Sequence, residues 1–147
     1  MTRALALSCD RLDCGSLRAH WDWLVPADHT PLLIGAFGDW VFGAPNGSYY
    51  ALCLLEGDYR LIAEGSDEFN ALKNDPGNLN DWFKADWVRL AAEDGLVPDD
   101  DECLGWKVHP MFGSALLTAR NIEVYKLRVY QAIMGHIFRQ RASGLHG

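Results

Sequence analysis

Tyr49-Tyr50-Ala51-Leu52-Cys53-Leu54-Leu55 runs through Glu56-Gly57-Asp58 into Tyr59-Arg60-Leu61-Ile62-Ala63. The first run is apolar at both odd and even positions, so it reads as the longest strand, central and covered on both faces. Glu56-Gly57-Asp58 carries turn chemistry, and the run after it reads as the next strand. Upstream, Leu32-Leu33-Ile34 is a short buried strand closed by Gly35, and Asp39-Trp40-Val41-Phe42 follows Gly38. Ala44-Pro45-Asn46-Gly47 then supplies a hairpin turn. Together these segments predict an antiparallel meander.

Helical spacing surrounds the meander. Ser16 is placed to cap a short helix carrying Leu17, Trp21 and Leu24, ended by Pro26. Ser66 is placed to cap a second, with Asp67 and Glu68 at its positive end, Phe69 and Leu72 inward, and Asp75-Pro76-Gly77 as its stop. Leu79, Trp82, Phe83, Trp87 and Leu90 predict one longer helix ending at Gly95. Near the C-terminus Glu102 to Trp106 reads as a strand, followed by a Pro/Gly turn and a long amphipathic helix. That helix has Leu127, Tyr130, Ile133, Met134, Ile137 and Phe138 on one stripe and Arg128, Gln131, Gly135 and Arg139 on another face. A glycine inside a helix costs about 1 kcal/mol relative to alanine. Close approach of a neighbouring element, or of a partner, would justify Gly135. The resulting class is α+β, an antiparallel meander sheet packed against helices, in one domain spanning residues 1–147.

Charge is unevenly placed along the 147 residues, whose net charge is −7. Residues 1–106 hold 7 Lys/Arg and 19 Asp/Glu, giving −12, whereas residues 107–147 hold 6 Lys/Arg and one Glu, giving +5. Such an acidic balance argues against a direct nucleic-acid binder and suits a partner with a basic surface. No apolar run approaches the roughly 20 residues of a membrane span. The stretch Met1 to Cys9 is too short in apolar residues for a signal peptide. The expectation is a cytoplasmic protein whose cysteines, Cys9, Cys14, Cys53 and Cys103, are free thiols.

Catalytic motifs are not evident. The five histidines, His20, His29, His109, His136 and His146, form no metal-ligand spacing, and there is no nucleophile elbow, phosphate loop or dinucleotide fingerprint. Cys spacing gives no zinc pattern. The acidic segment Val97 to Glu102 lacks the turn glycine of a calcium loop, so it reads as a solvated charge run. No catalytic residue, metal or cofactor is expected. An acid–base pair of His109 with the acidic segment would be the only enzymatic alternative.

The stretch Glu102-Cys103-Leu104-Gly105-Trp106-Lys107-Val108-His109-Pro110 is the sharpest feature of the chain. With it go Phe112-Gly113, Asn121-Ile122-Glu123, Val129-Tyr130, Gly135 and Gln140, and upstream Gly38 to Phe42, Ile62 to Phe69 and Trp82. These residues resemble type VI secretion immunity proteins of the Tdi type. The chain departs from that pattern at Leu104, where an aromatic is usual, at His109-Pro110, at Lys126 and at Gly135 to Phe138. About the first 35 residues carry none of the resemblance.

The resemblance implies an α+β domain of SUKH-like outline. The implied function is stoichiometric neutralisation of a secreted toxin, a DNase effector in that family. The acidic residues Asp94, Asp99, Asp100, Asp101 and Glu102 are the first candidates for partner contact, with Trp106 and Lys107 beside them. Trp106 could equally be core, and Lys107 could simply pair with Glu123. A SUKH-like regulatory or scaffold module binding a non-toxin partner is the alternative reading.

Overall fold

The computed structural model describes residues 4–144. Five strands form an antiparallel sheet in chain order: β1 (Ala6–Ser8), β2 (Thr30–Gly35), β3 (Trp40–Gly43), β4 (Tyr49–Cys53) and β5 (Asp58–Ala63). The expected meander is β2 to β5. β1 was not foreseen, because three residues are too few to show a period; it pairs Ala6, Leu7 and Ser8 with Gly35, Ile34 and Leu33.

β4 lies between β3 and β5, as its apolar character requires, but at five residues it is shorter than the apolar run. Leu54 leaves the ladder because its N–H donates to Asp39 Oδ1 at 2.7 Å. Gly47 and Gly57 take φ of +90° and +72° in the two tight turns, where a side chain would be strained.

Helices cover both faces of the sheet. Trp40 and Phe42 point one way, into a core shared with Trp21, Leu52, Tyr130 and Phe138. That face carries α1 (Cys14–Arg18) and α5 (Leu127–Ala142). Val41 and Ala63 point the other way, against Phe69 of α2 (Ser66–Leu72) and Trp82 and Phe83 of α3 (Pro76–Phe83). A third cluster packs α4 (Ala85–Glu93) on a ribbon of β6 (Glu102–Trp106) and β7 (Ile122–Lys126) through Ala91, Leu104, Trp106 and Ile122. The α+β class and the C-terminal helix packed against strands are as expected.

Several local expectations change. Asp13, not Ser16, caps α1, its carboxylate accepting from Ser16 N. Gly65 occupies the cap position of α2 with no side-chain cap, which leaves Ser66 as the first helical residue. Asp75-Pro76 ends α2 and also starts α3, with Asp75 accepting from Gly77 N and proline in the first turn.

The single helix expected from Leu79 to Leu90 is two. Lys84 sits between them in the left-handed conformation, φ 59° and ψ 43°, while Asn80 Oδ1 caps α4 by accepting from Asp86 N. Asn121 to Tyr125 does not simply lead into the last helix: Ile122–Lys126 pairs residue for residue with β6. Gln131 and Gly135, read as a separate face of α5, are buried, whereas Ile133 is exposed. The helix meets α1 and its neighbouring turn on one side and the ribbon on another, so its buried arc is wider and rotated.

Candidate functional site

The acidic segment forms the connection between α4 and β6. Asp94 follows α4, Asp99, Asp100 and Asp101 are exposed, and Glu102 opens β6 half-buried. The segment is shaped by its own groups. Glu102 Oε1 accepts from Asp99 N at 2.9 Å, and the Asp101 carbonyl accepts from Leu127 N. Lys126 Nζ reaches Asp101 Oδ2 at 3.0 Å and Glu102 Oε2 at 3.9 Å.

The hydrogen bond from Lys126 holds the Asp101 carboxyl below its usual range, and Asp101 holds Lys126 above its own. Asp99, Asp101 and Glu102 can bring one oxygen each within 4.8 Å of one another, and the Lys126 ammonium is the countercharge in contact with two of them. Beside Asp101 an open groove of about 390 Å³ runs between α1 and the start of α5, lined by Leu12, Leu17 and Leu127 with Asp13 and Arg128.

At the other end of β6 the structure separates the two remaining candidates. Trp106 is 5% exposed, with Phe37 and Trp87 against its ring at centroid distances of 5.3 and 5.4 Å. Its backbone N–H donates to Tyr130 Oη and its backbone carbonyl accepts from Tyr125 Oη, which saturates the strand end. Trp106 is therefore core. Lys107 is exposed, and its backbone N–H donates to the Asn121 carbonyl. Among the described residues no ion pair joins it to Glu123.

His109 is buried and lies at the opposite end of β6 from the acidic segment. Its Nε2 donates to the Leu54 carbonyl at 2.9 Å and its Nδ1 accepts from Met111 N at 3.0 Å. That bonding pattern defines a neutral tautomer. Burial lowers its pKa from the ordinary imidazole value. With both ring nitrogens engaged by backbone, His109 has no free lone pair to act as a base. It pins the loop that follows β6 to the sheet. His146 lies outside the described residues.

That loop, residues 107–121, is a chain of three 3₁₀ turns, Pro110–Phe112, Ser114–Leu116 and Ala119–Asn121. Asn121 closes it: Oδ1 accepts from Val108 N, and Nδ2 donates to the carbonyls of Val108 and Leu116. The fixed loop leaves Val108, Phe112 and Leu117 exposed at 48%, 70% and 43%. In the sequence Phe112 stands out only within the family resemblance. A loop side chain has no periodicity from which its exposure can be read.

The strand–loop–strand–helix unit that carries these features lies within the span of a known family. Residues 63–138 match the family model described as T6SS immunity protein Tdi1, C-terminal. The chain belongs to this family. No curated protein sequence matches it. The Tdi1-type span runs from the end of β5 to Phe138 in α5 and takes in α2, α3, α4 and the ribbon. The upstream residues Gly38 to Phe42, quoted above for the resemblance, fall outside the matched span. Membership implies a cognate type VI toxin as the partner. No helix of the described residues is long and apolar enough to cross a membrane.

Proposed function

We propose that this Tdi1-family chain neutralises a DNase effector in the cytoplasm by binding it stoichiometrically. Charge carries the reading: residues 1–106 sum to −12, and Asp94, Asp99, Asp100 and Asp101 lie on the surface. A nuclease must attract phosphate, so its cleft is basic. An acidic inhibitor speeds encounter with such a cleft and can occupy it. The acidic segment, with Glu102 at its end, is the surface for that contact. The groove beside Asp101 gives a basic side chain of the partner somewhere to enter, and Lys126 already shows how a cation is received there. Trp106 and Lys107 lie at the other end of β6, Trp106 in the core and Lys107 exposed, outside this acidic surface. The whole chain acts as one unit, with α1 and the turn that follows it packed on α5. The interface need only be of ordinary size, about 1,600 Å² in total.

The test is reconstitution with a type VI DNase effector, sought among the genes that neighbour this one. A one-to-one complex in size-exclusion chromatography, and loss of DNA cleavage at equimolar protein, are the expected results. Cleavage that persists at excess protein would reject the reading.

A further inference from the structure

We infer that the loop of residues 107–121 is the apolar anchor by which the chain holds its effector, with Phe112 as the inserted side chain; this rests on the reading just proposed. Phe112 is the most exposed large apolar side chain among the described residues, at 70%, and Val108 and Leu117 are exposed on the same loop. A loop that merely connects β6 to β7 gains nothing by presenting three such groups to water. Nor is the loop slack. His109 ties its first turn to Leu54, and Asn121 ties Val108 to Leu116, so Phe112 is presented on a backbone whose ordering is already complete. Preorganised aromatic side chains of this kind are what interfaces use as hot spots.

Charge defines the occupant. Residues 107–121 contain Lys107 and Arg120 and no acidic residue, and Arg141 Nη1 lies 3.1 Å from Met111 Sδ at the same loop. The nearest acid in sequence, Glu123, lies beyond the loop on β7. The matching effector surface is an apolar pocket rimmed by carboxylates, distinct from the basic cleft that meets the acidic segment. The two contact regions sit at opposite ends of β6, about 17 Å apart for five residues. One partner face of about 800 Å² can span both. The acidic end then governs the rate of encounter and the Phe112 end governs how long the complex lasts.

The probe is the DNase effector used in the reconstitution above, made catalytically inactive, with binding followed by surface plasmon resonance. Phe112→Ser should fold as the wild type does, because the ring is exposed, and this is checked by its melting curve. Its affinity should fall by about thirtyfold or more, mainly through faster dissociation. Lys107→Glu with Arg120→Glu should weaken binding in the same direction, and Phe112→Leu should recover part of the loss. If wild type and Phe112→Ser bind equally, the anchor is wrong and the immunity reading stands. If the wild type itself does not bind, both fall. If Phe112→Ser instead turns a dimer of this chain into a monomer and leaves effector binding intact, the loop is a self-interface and the proposal is overturned.

Discussion

The indole N–H of Trp21 donates to Gln131 Oε1 at 2.7 Å across 110 residues of chain, and the Trp40 indole donates to the same oxygen at 2.9 Å. The Gln131 amide completes the set by donating to the Gly38 carbonyl at 2.8 Å. One fully buried side chain therefore joins the N-terminal turn, the sheet and the last helix. Gln131 lies inside the Tdi1-family span, and all three of its partners lie outside it.

Gln131→Leu should test how far that junction holds the fold. The substitution leaves two indole donors and a carbonyl buried without partners, each costing about 1–3 kcal/mol. We expect a loss of about 3–5 kcal/mol in urea unfolding, a range that breaking a buried network can reach. A loss below about 1 kcal/mol would mean that water satisfies these groups.

Gly135→Ala should destabilise the protein although alanine is the better helix former by about 1 kcal/mol. A Cβ at this position would lie 2.5 Å from the His20 carbonyl oxygen and 2.9 Å from His20 Cβ. The first of these is backbone, which cannot swing aside. Overpacking of this kind costs about 1–3 kcal/mol, so the net expectation is a lower denaturation midpoint. A raised midpoint would show that the turn at His20 moves freely.

The sequence showed most of the architecture and little of the surface. The meander was legible because Tyr49 to Ala63 alternates between apolar strands and turn residues. Gly135 was legible as a close approach because nothing else repays a glycine inside a helix. Lys84 was not: its side chain pairs with a carboxylate 45 residues upstream, and the apolar stripe continues through it unbroken. Gln131 reads from sequence as part of a face apart from the apolar stripe, because the partners that bury it are two tryptophans far away in sequence. Among the candidate contacts, the exposure of the Asp99 to Asp101 turn was legible from charge alone. Trp106 needed the positions of Phe37 and Trp87 to be assigned to the core.

Lys84→Met should cost about 3–5 kcal/mol, the penalty for leaving one member of a buried ion pair behind. Lys84 Nζ lies 3.7 Å from Asp39 Oδ2 and donates to the Asp81 carbonyl at 2.9 Å. Burial raises the Asp39 pKa, and Lys84 and the Leu54 N–H offset part of that rise. Methionine keeps the length and the same left-handed backbone cost, so the comparison isolates the charge. Adding Asp39→Asn should recover part of the loss. Simple addition of the two effects in urea unfolding would show that the pair is not coupled.

His109 should make stability fall on acidification. Burial, with a smaller contribution from Arg141, places its folded pKa below the ordinary value near 6.5. Between those two values the unfolded chain holds a proton that the native chain does not. The His109 contribution is thus complete above about pH 6.5 and declines as pH falls through this window. His109→Gln removes the titration but leaves every other group in place. The stability difference between wild type and variant should shrink from pH 7.5 to pH 5. A difference that stays constant would mean that His109 keeps its proton balance on unfolding.

Reversing the exposed acids Asp94, Asp99 and Asp100 to lysine should act on association with the effector rather than on the fold. Asp101 and Glu102 are left unchanged because they hold Lys126 and the start of the ribbon. Removing three negative charges and adding three positive ones changes the net charge from −7 to −1. Steering depends on the field around the partner cleft, and its loss lowers the association rate by about tenfold or more at low salt. The dissociation rate should change much less, since exposed rim charges contribute little once the complex is formed. Raising ionic strength should bring wild type and variant together, because screening shortens the reach of the field to about 8 Å at 0.15 M salt. Stopped-flow association at several salt concentrations reads all three effects. An unchanged rate and salt slope would move the steering surface elsewhere on the acidic body.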